Sequence, residues 1–153
     1  MPSAATVSPT ARALDVAARL VAAAGLAVDA YVHAKLAGQY DAVTADISQG
    51  ALFRVEAGLA SLAALLVLVW RRPLSAALGW LVAAGGLAAL LVYRYVNVGA
   101  HGPLPDMYEP VWTPDKRLTV WSQAAATAAC SYLLLRWALA RRSSDARDLP
   151  EEP

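Results

Sequence analysis

The sequence predicts an all-α protein: a bundle of four transmembrane helices in a single membrane domain, residues 1–153, with both termini on the cytoplasmic side. Hydrophobic residues make up 58% of the chain and charged residues only 16%, whereas about a quarter of an ordinary soluble domain is charged. Four apolar stretches each approach the roughly 20 residues that a helix needs to cross a bilayer. Arginines in the short connections lie on one side of these stretches, which predicts the orientation.

The predicted helices differ in how clearly the sequence marks them. The second contains an unbroken apolar run, residues 59–70, and the third carries no charge before Arg94. The fourth is free of charge from 119 to 135. The predicted spans are 14–36, 52–70, 74–96 and 118–140.

Charged and polar side chains interrupt the first span. Asp15, Arg19, Asp29 and His33 lie among its alanines, valines and leucines. A cleaved signal peptide with residues 20–28 as its apolar core is the alternative interpretation. Asp29 would then lie within the cleavage site, where small uncharged residues are needed. We therefore expect a helix that is retained in the mature protein.

The segments outside the four spans are predicted to lack regular structure. Both ends of the chain, residues 1–10 and 143–153, are small, polar and proline-bearing, and are predicted to be disordered tails. The longest connection, 98–117, is predicted to be an outer loop whose four prolines exclude a regular helix across it. This loop is either a simple ordered connection or a lid or docking surface.

The distribution of arginine predicts which side faces the cytoplasm. Arg71 and Arg72 lie in a tight turn between the second and third helices, and Arg141 and Arg142 follow the fourth. On the opposite side the basic residues are mixed with acids. The positive-inside rule therefore predicts a cytoplasmic turn and an outer loop 98–117. Heavy use of Ala and Arg fits a GC-rich bacterial genome, so we expect a multi-pass protein of the bacterial plasma (inner) membrane.

Ionisable residues at membrane depth are costly and are the first candidates for function. Here they gather toward the outer end, where the candidate polar cluster is Asp29, His33, Arg54, Glu56 and Arg94. Asp29 and His33 share a helix face because they are four residues apart. Asp29 is the deepest acid and is expected to pair with Arg54 or Arg94.

Three interpretations of this cluster stay open at the level of sequence. Its charges could pair with one another and hold three helices in register, because polar groups inside bundles usually pair. It could instead form a proton-linked or ligand-binding pocket, since histidine titrates near neutral pH. A metal site that adds His101 to Asp29, His33 and Glu56 is the third, although no compact ligand motif is present and no metal is assigned.

Other function classes lack support in the sequence. It contains no nucleophile motif, phosphate-binding glycine loop, CxxC or HExxH. No catalytic, cofactor-binding or metal-binding residue is therefore assigned, and the chain is predicted not to be an enzyme. The net charge of +1 lacks the basic excess that nucleic-acid binding requires.

Small residues are expected where helices touch, because lipid provides no hydrophobic drive between them. Gly58 on the second helix and Gly79 and Gly86 on the third are such residues. Gly85 next to Gly86, and the single cysteine, Cys130, are interpreted as packing features of apolar helices.

One segment, residues 31–57, resembles part of small, uncharacterised actinobacterial four-helix membrane proteins. The shared features are His33 near the end of the first helix, the pair Tyr40-Asp41, and a Gly-x-Leu-Phe sequence at 50–53. In size and helix count the chain is also similar to DoxX-like proteins. This resemblance implies a membrane location and leaves the role open.

The sequence is compatible with two functions of different class. The first is a non-enzymatic accessory or partner-binding membrane subunit. Besides the lipid bilayer, its partner would be another membrane protein or a second copy of this chain, as a homo-oligomer. The second is a small transporter or proton-coupled carrier that uses the outer-side cluster. A redox or quinone-linked component is a third hypothesis. A water-filled cavity that reaches the cluster would favour the carrier over the subunit.

Overall fold

The computed structural model describes residues 8–145, and its regular structure is helical throughout. The predicted all-α class is confirmed. Over the described range no strand forms, and there are only two isolated bridges, Thr44 with Ser48 and His101 with Leu104. The helices are α1 Pro9–Ala37, α2 Gln49–Val69, α3 Pro73–Tyr95 and α4 Pro114–Asp145, with a short 3₁₀ turn at Gly38–Tyr40 after α1.

Hydroxyl side chains and prolines mark the starts of the helices. Ser8 before α1, Ser48 before α2 and Thr113 before α4 each accept a hydrogen bond from the backbone N–H three residues further on. Pro73 and Pro114 are the first residues of α3 and α4. A proline fits the first turn of a helix because no N–H is needed there.

Three predicted boundaries were wrong. Residues 9–10 and 143–145 were predicted as tails and 114–117 as outer loop, yet all are helical. At both helix starts a proline begins the helix rather than excluding it. At the end of α4, Arg142 lies in the last turn, where a cation interacts favourably with the helix dipole. The remaining parts of the predicted tails, 1–7 and 146–153, lie outside the described residues.

The helices form an antiparallel bundle of four. α1 and α3 each pack against both α2 and α4, so α1 and α3 lie diagonally opposite each other. The connections 38–48 and 96–113 lie at one end of the bundle, called the outer end here. The turn 70–72 lies at the other, inner end.

Three of the helices, α2, α3 and α4, are long and apolar enough to cross a membrane. The 21 residues of α2 extend about 30 Å, which matches the hydrocarbon thickness. Large apolar side chains such as Leu65, Leu81 and Trp121 are exposed on the outside of the bundle, where lipid would cover them. α1 is long enough at 29 residues, but its polar residues lower its hydropathy, and its crossing stays a prediction.

The charged residues that interrupt α1 contact its neighbouring helices. The Arg19 guanidinium donates a hydrogen bond of 3.0 Å to the carbonyl of Val67, near the end of α2. Arg136 of α4 donates to the carbonyl of Ala11 at 2.9 Å and to the Asp15 carboxylate at 3.0 Å. These charges therefore attach α1 to both of its neighbours at the inner end.

Small residues lie at two close contacts between helices. A Cβ at Gly79 would lie 3.0 Å from the sulfur of Cys130. At Gly25 it would lie 2.5 Å from the carbonyl oxygen of Ser122, so the backbones of α1 and α4 approach closely. The prediction of a small-residue contact is confirmed at Gly79. It is wrong at Gly58, which has open space around it.

Candidate functional site

Four polar side chains from three helices meet in the outer half of the bundle. We call them the polar layer: Asp29 and His33 of α1, Glu56 of α2 and Gln123 of α4. Asp29, Glu56 and Gln123 lie about 10–14 Å along the axis from the outer ends of their helices, at 1.5 Å per residue. The layer is thus well inside the span of each helix.

Asp29 is at the centre of the polar layer and is fully buried. Its Oδ1 accepts a hydrogen bond of 2.9 Å from Nε2 of Gln123, which is itself buried. The same Oδ1 lies 3.0 Å from Nδ1 of His33, which is also 3.0 Å from the Asp29 carbonyl oxygen. The acid is therefore held between α1 and α4.

A glycine of α3 makes room for the polar layer. A Cβ at Gly86 would collide with Nε2 of Gln123 and lie 2.9 Å from Oε1 of Glu56. The adjacent Gly85 has nothing within 4 Å of the same position. The two glycines therefore differ: Gly86 admits two polar side chains, whereas Gly85 makes no such contact.

Three oxygens of the polar layer are buried without a hydrogen-bond donor among residues 8–145: Asp29 Oδ2, Glu56 Oε1 and Gln123 Oε1. Gln123 adjoins Glu56 at Gly86 and donates to Asp29, so the two carboxyl groups flank the same buried amide. A proton on either carboxyl group would supply a missing donor. Because unpaired buried acceptors are costly, these oxygens have an unmet need for a donor.

A partly open cavity of about 330 Å³ lies beneath the outer loop and reaches the polar layer. His33, Glu56 and Gly86 form its inner end. The wall between this end and the outer loop is mainly apolar, with Val32, Leu36, Leu52, Phe53, Ala89 and Leu90. The cavity therefore has mainly apolar walls, and titratable side chains lie at its inner end.

Lys116 holds the outer loop over the cavity. Its Nζ donates to the carbonyls of Glu109 and Val111 at 2.7 and 3.0 Å and lies 3.2 Å from the Glu109 carboxylate. The Tyr40 hydroxyl donates to the same carboxylate at 3.1 Å. Burial, together with the Glu109 charge, raises the pKa of Tyr40 to about 12. The phenol therefore remains a donor at neutral pH and helps to fix the loop.

Arg94 also lines the cavity, near its outer end. Its guanidinium carbon lies 4.9 Å from the centre of the Tyr95 ring and 5.1 Å from that of Trp112. Its Nε is buried without an acceptor, and no ion pair within residues 8–145 includes it. The predicted pairing of Arg94 with Asp29 is wrong.

Arg54 lies outside the site. Its two terminal nitrogens donate to the two carboxylate oxygens of Asp41, each at 2.7 Å, on a half-exposed surface. These hydrogen bonds hold the pKa of Asp41 below its ordinary value. Arg54 and Glu56 are two residues apart and point to different sides of α2. The expected pairing of Arg54 with Asp29 is therefore also wrong.

The structure thus brings together Asp29, His33 and Glu56 of the predicted cluster and adds Gln123. Sequence reasoning missed Gln123, although an amide inside the charge-free stretch of the fourth helix was a usable signal, because it needs a partner in the membrane. Three residues of the segment that resembles other four-helix membrane proteins are also in contact. The Phe53 ring lies 5.0 Å from the rings of His33 and Tyr40.

The metal site considered from the sequence does not form within the described residues. Among residues 8–145 no group of three or more His, Cys, Asp and Glu side chains is arranged to hold a metal ion. His101, which would have completed such a site, lies in the outer loop and forms a bridge with Leu104.

Comparison of the chain with protein-family models, with curated proteins and with solved structures gives no match in any of the three. The resemblance to small four-helix membrane proteins stays a prediction.

Proposed function

We propose that this chain is a membrane protein that binds a small organic molecule in the cavity and couples binding to proton uptake by the polar layer, as a small proton-coupled carrier would. The observation that carries the proposal is the cavity of about 330 Å³ with His33 and Glu56 at its inner end. That volume is at the lower end of the range for small-molecule sites. A polar cluster that only held helices in register would need no such chamber.

The polar layer supplies the proton site. The adjacent carboxyl groups of Asp29 and Glu56 repel each other when both are ionised, and the imidazole of His33 touches Asp29. Glu56, the carboxyl group of this set that lines the cavity, is therefore the proposed proton site. The other titratable or charged groups that line the cavity are Tyr40, Arg94, Glu109 and Lys116. A ligand placed against Glu56 changes its surroundings and, by linkage, its proton occupancy.

Transport requires a further conformational step. The bundle is closed in its inner half where Gly79 meets Cys130, and beside the polar layer where Gly25 meets Ser122. A carrier cycle would separate the helices at these contacts and close the outer half, as in other hinge and shear transitions.

Binding is tested with three water-soluble probes of equal chain length: hexanoate, hexanamide and hexylammonium. The purified protein in nanodiscs is titrated with each probe while tryptophan fluorescence is followed. We expect saturable binding of at least one probe. Calorimetry in buffers of different ionisation enthalpy then measures proton uptake, which Glu56→Gln should abolish while binding persists.

Adjacent residues of α3 provide a matched control. Ala89 lines the cavity and Ala88 does not, although both are exposed. Ala89→Trp should fill the chamber and remove binding, whereas Ala88→Trp should leave it unchanged. The proposal fails if no probe binds, or if both tryptophan variants affect binding equally.

The membrane arrangement belongs to the same proposal: four crossings in the bacterial plasma membrane, with the turn 70–72 in the cytoplasm and the outer loop outside. The arginines of that turn support this orientation. In a Cys130→Ala background, an impermeant thiol reagent applied to intact cells should label Val111→Cys and not Arg71→Cys. The reverse labelling would overturn the orientation.

The accessory-subunit hypothesis is supported by a different surface. Trp121 is 75% exposed, and with Trp112, Arg117 and Val120 it forms a shallow groove beside the outer loop. A second copy of this chain or another membrane protein could cover it. Native mass spectrometry from mild detergent should then show a complex that Trp121→Ala dissociates while probe binding in the cavity persists.

A further inference from the structure

Arg94 is the cation of the cavity wall that has no acidic partner among residues 8–145. Lys116 and Glu109 neutralise each other at 3.2 Å, and Glu56 belongs to the polar layer. Arg94, in contrast, forms no ion pair within residues 8–145, and its Nε is buried without an acceptor. A buried donor on a cation without an acceptor is costly, so the cavity presents an unmet need for an anion.

The aromatic rings beside Arg94 fit this role. The guanidinium lies over the rings of Tyr95 and Trp112, at 4.9 and 5.1 Å. Stacking on a ring uses the flat faces of the group and leaves its in-plane N–H groups available. Those N–H groups match the two oxygens of a carboxylate.

The rest of the chamber selects for an apolar body. From Arg94 down to the polar layer the wall is formed by aliphatic side chains of α1, α2 and α3: Val32, Leu36, Leu52, Ala89 and Leu90. Val55 and Ala89 are exposed as well as lining the cavity, so the chamber meets the lipid-facing surface on the side of α2 and α3. An amphipathic molecule could enter there with its charged end at the outer surface.

We infer that the ligand is a small amphipathic carboxylate whose anionic group binds Arg94 and whose hydrocarbon part lies in the apolar chamber above Glu56. This inference rests on the proposed function, because it names the ligand class of the same cavity. A carboxylate at Arg94 also leaves Glu56 facing the apolar end of the ligand. Loss of water there favours the neutral form of Glu56, which is the direction required for coupled proton uptake.

The comparison of hexanoate, hexanamide and hexylammonium in nanodiscs tests the inference. Hexanoate should bind the native protein at least about tenfold more tightly than hexanamide, as expected for one hydrogen-bonded charge pair. Hexylammonium should bind more weakly than either. This comparison needs no variant, so it stands even if a substitution disturbs folding.

Arginine variants then locate the preference. Arg94→Gln should remove the preference for hexanoate over hexanamide, and Arg94→Lys should restore part of it. Arg117→Gln is the matched control: Arg117 is an exposed cation at the same end of the bundle that does not line the cavity. It should keep the preference.

The outcomes separate this inference from the proposed function. If hexanamide or hexylammonium binds as tightly as hexanoate and Ala89→Trp still blocks binding, the cavity binds small molecules but the assignment of a carboxylate is wrong. If Arg94→Gln and Arg117→Gln reduce the preference equally, Arg94 is not the anion site. If none of the probes binds, the proposed function falls as well.

Discussion

Gly86→Ala tests whether the polar layer is assembled as the structure has it. Alanine is about 1 kcal/mol more favourable than glycine inside a helix, so the substitution alone should stabilise α3. At Gly86, however, the new Cβ would displace the Gln123 amide that donates to Asp29 at 2.9 Å. An interhelical hydrogen bond in a membrane bundle contributes about 1–2 kcal/mol, and the displaced Gln123 side chain would also have to repack.

The adjacent glycine is the control. Gly85→Ala meets nothing within 4 Å and gains the same helix propensity. The two variants should therefore differ in unfolding free energy by about 2 kcal/mol, with Gly85→Ala the more stable; that is about a thirtyfold difference in the unfolding equilibrium. Reversible unfolding by sodium dodecyl sulfate in mixed micelles, followed by circular dichroism, measures the difference. Equal stabilisation by both alanines would refute the described contact between Gln123 and Asp29.

Two further predictions concern the contact between α1 and α4 and the ion pair at the outer end. Gly25→Ala should destabilise the protein by about 1–2 kcal/mol, because overpacking against a backbone carbonyl costs more than the gain in helix propensity. The control, Gly58→Ala, lies in open space and should be neutral or stabilising in the same unfolding assay. A Gly25→Ala variant as stable as the native protein would contradict the close approach of α1 and α4. Asp41 has a pKa lowered by its hydrogen bonds to Arg54, so its contribution to stability is present above its unfolded pKa and is lost as pH falls through the lower folded value. Asp41→Asn should accordingly lower the melting temperature at neutral pH and make little difference in strong acid, whereas the exposed Asp46→Asn should have little effect at either pH.

Much of the fold could be predicted because each helix is determined locally. An apolar run near 20 residues must satisfy its backbone hydrogen bonds internally once it is in lipid, and a helix does so. The runs around residues 59–70 and 119–135 therefore predicted α2 and α4 without knowledge of their neighbours. The boundaries were less accurate, because Pro114 begins a helix as well as it interrupts one.

The candidate site was only partly predictable. The spacing of Asp29 and His33 placed them on one face of α1, and the structure confirms their contact. The predicted partners of Asp29 on other helices were wrong, and Gln123 was missed. The general rule that a buried acid pairs with a cation does not specify which residue lies close enough to do so. Arg54 pairs with Asp41 in the adjoining loop, and Gln123 is the residue of another helix that donates to Asp29.

By itself, then, the sequence determined the helical class, the positions of the apolar spans and the presence of ionisable residues toward one end. These follow from the free energy of placing each segment in lipid or water, which is a sum over neighbouring residues. Only the tertiary structure decided that Gly86 opens a space for Gln123, that Arg94 finds no acid within residues 8–145, and that a cavity separates it from Glu56. Such contacts depend on the rotation and depth of each helix against its neighbours, and packing of residues distant in the chain sets both.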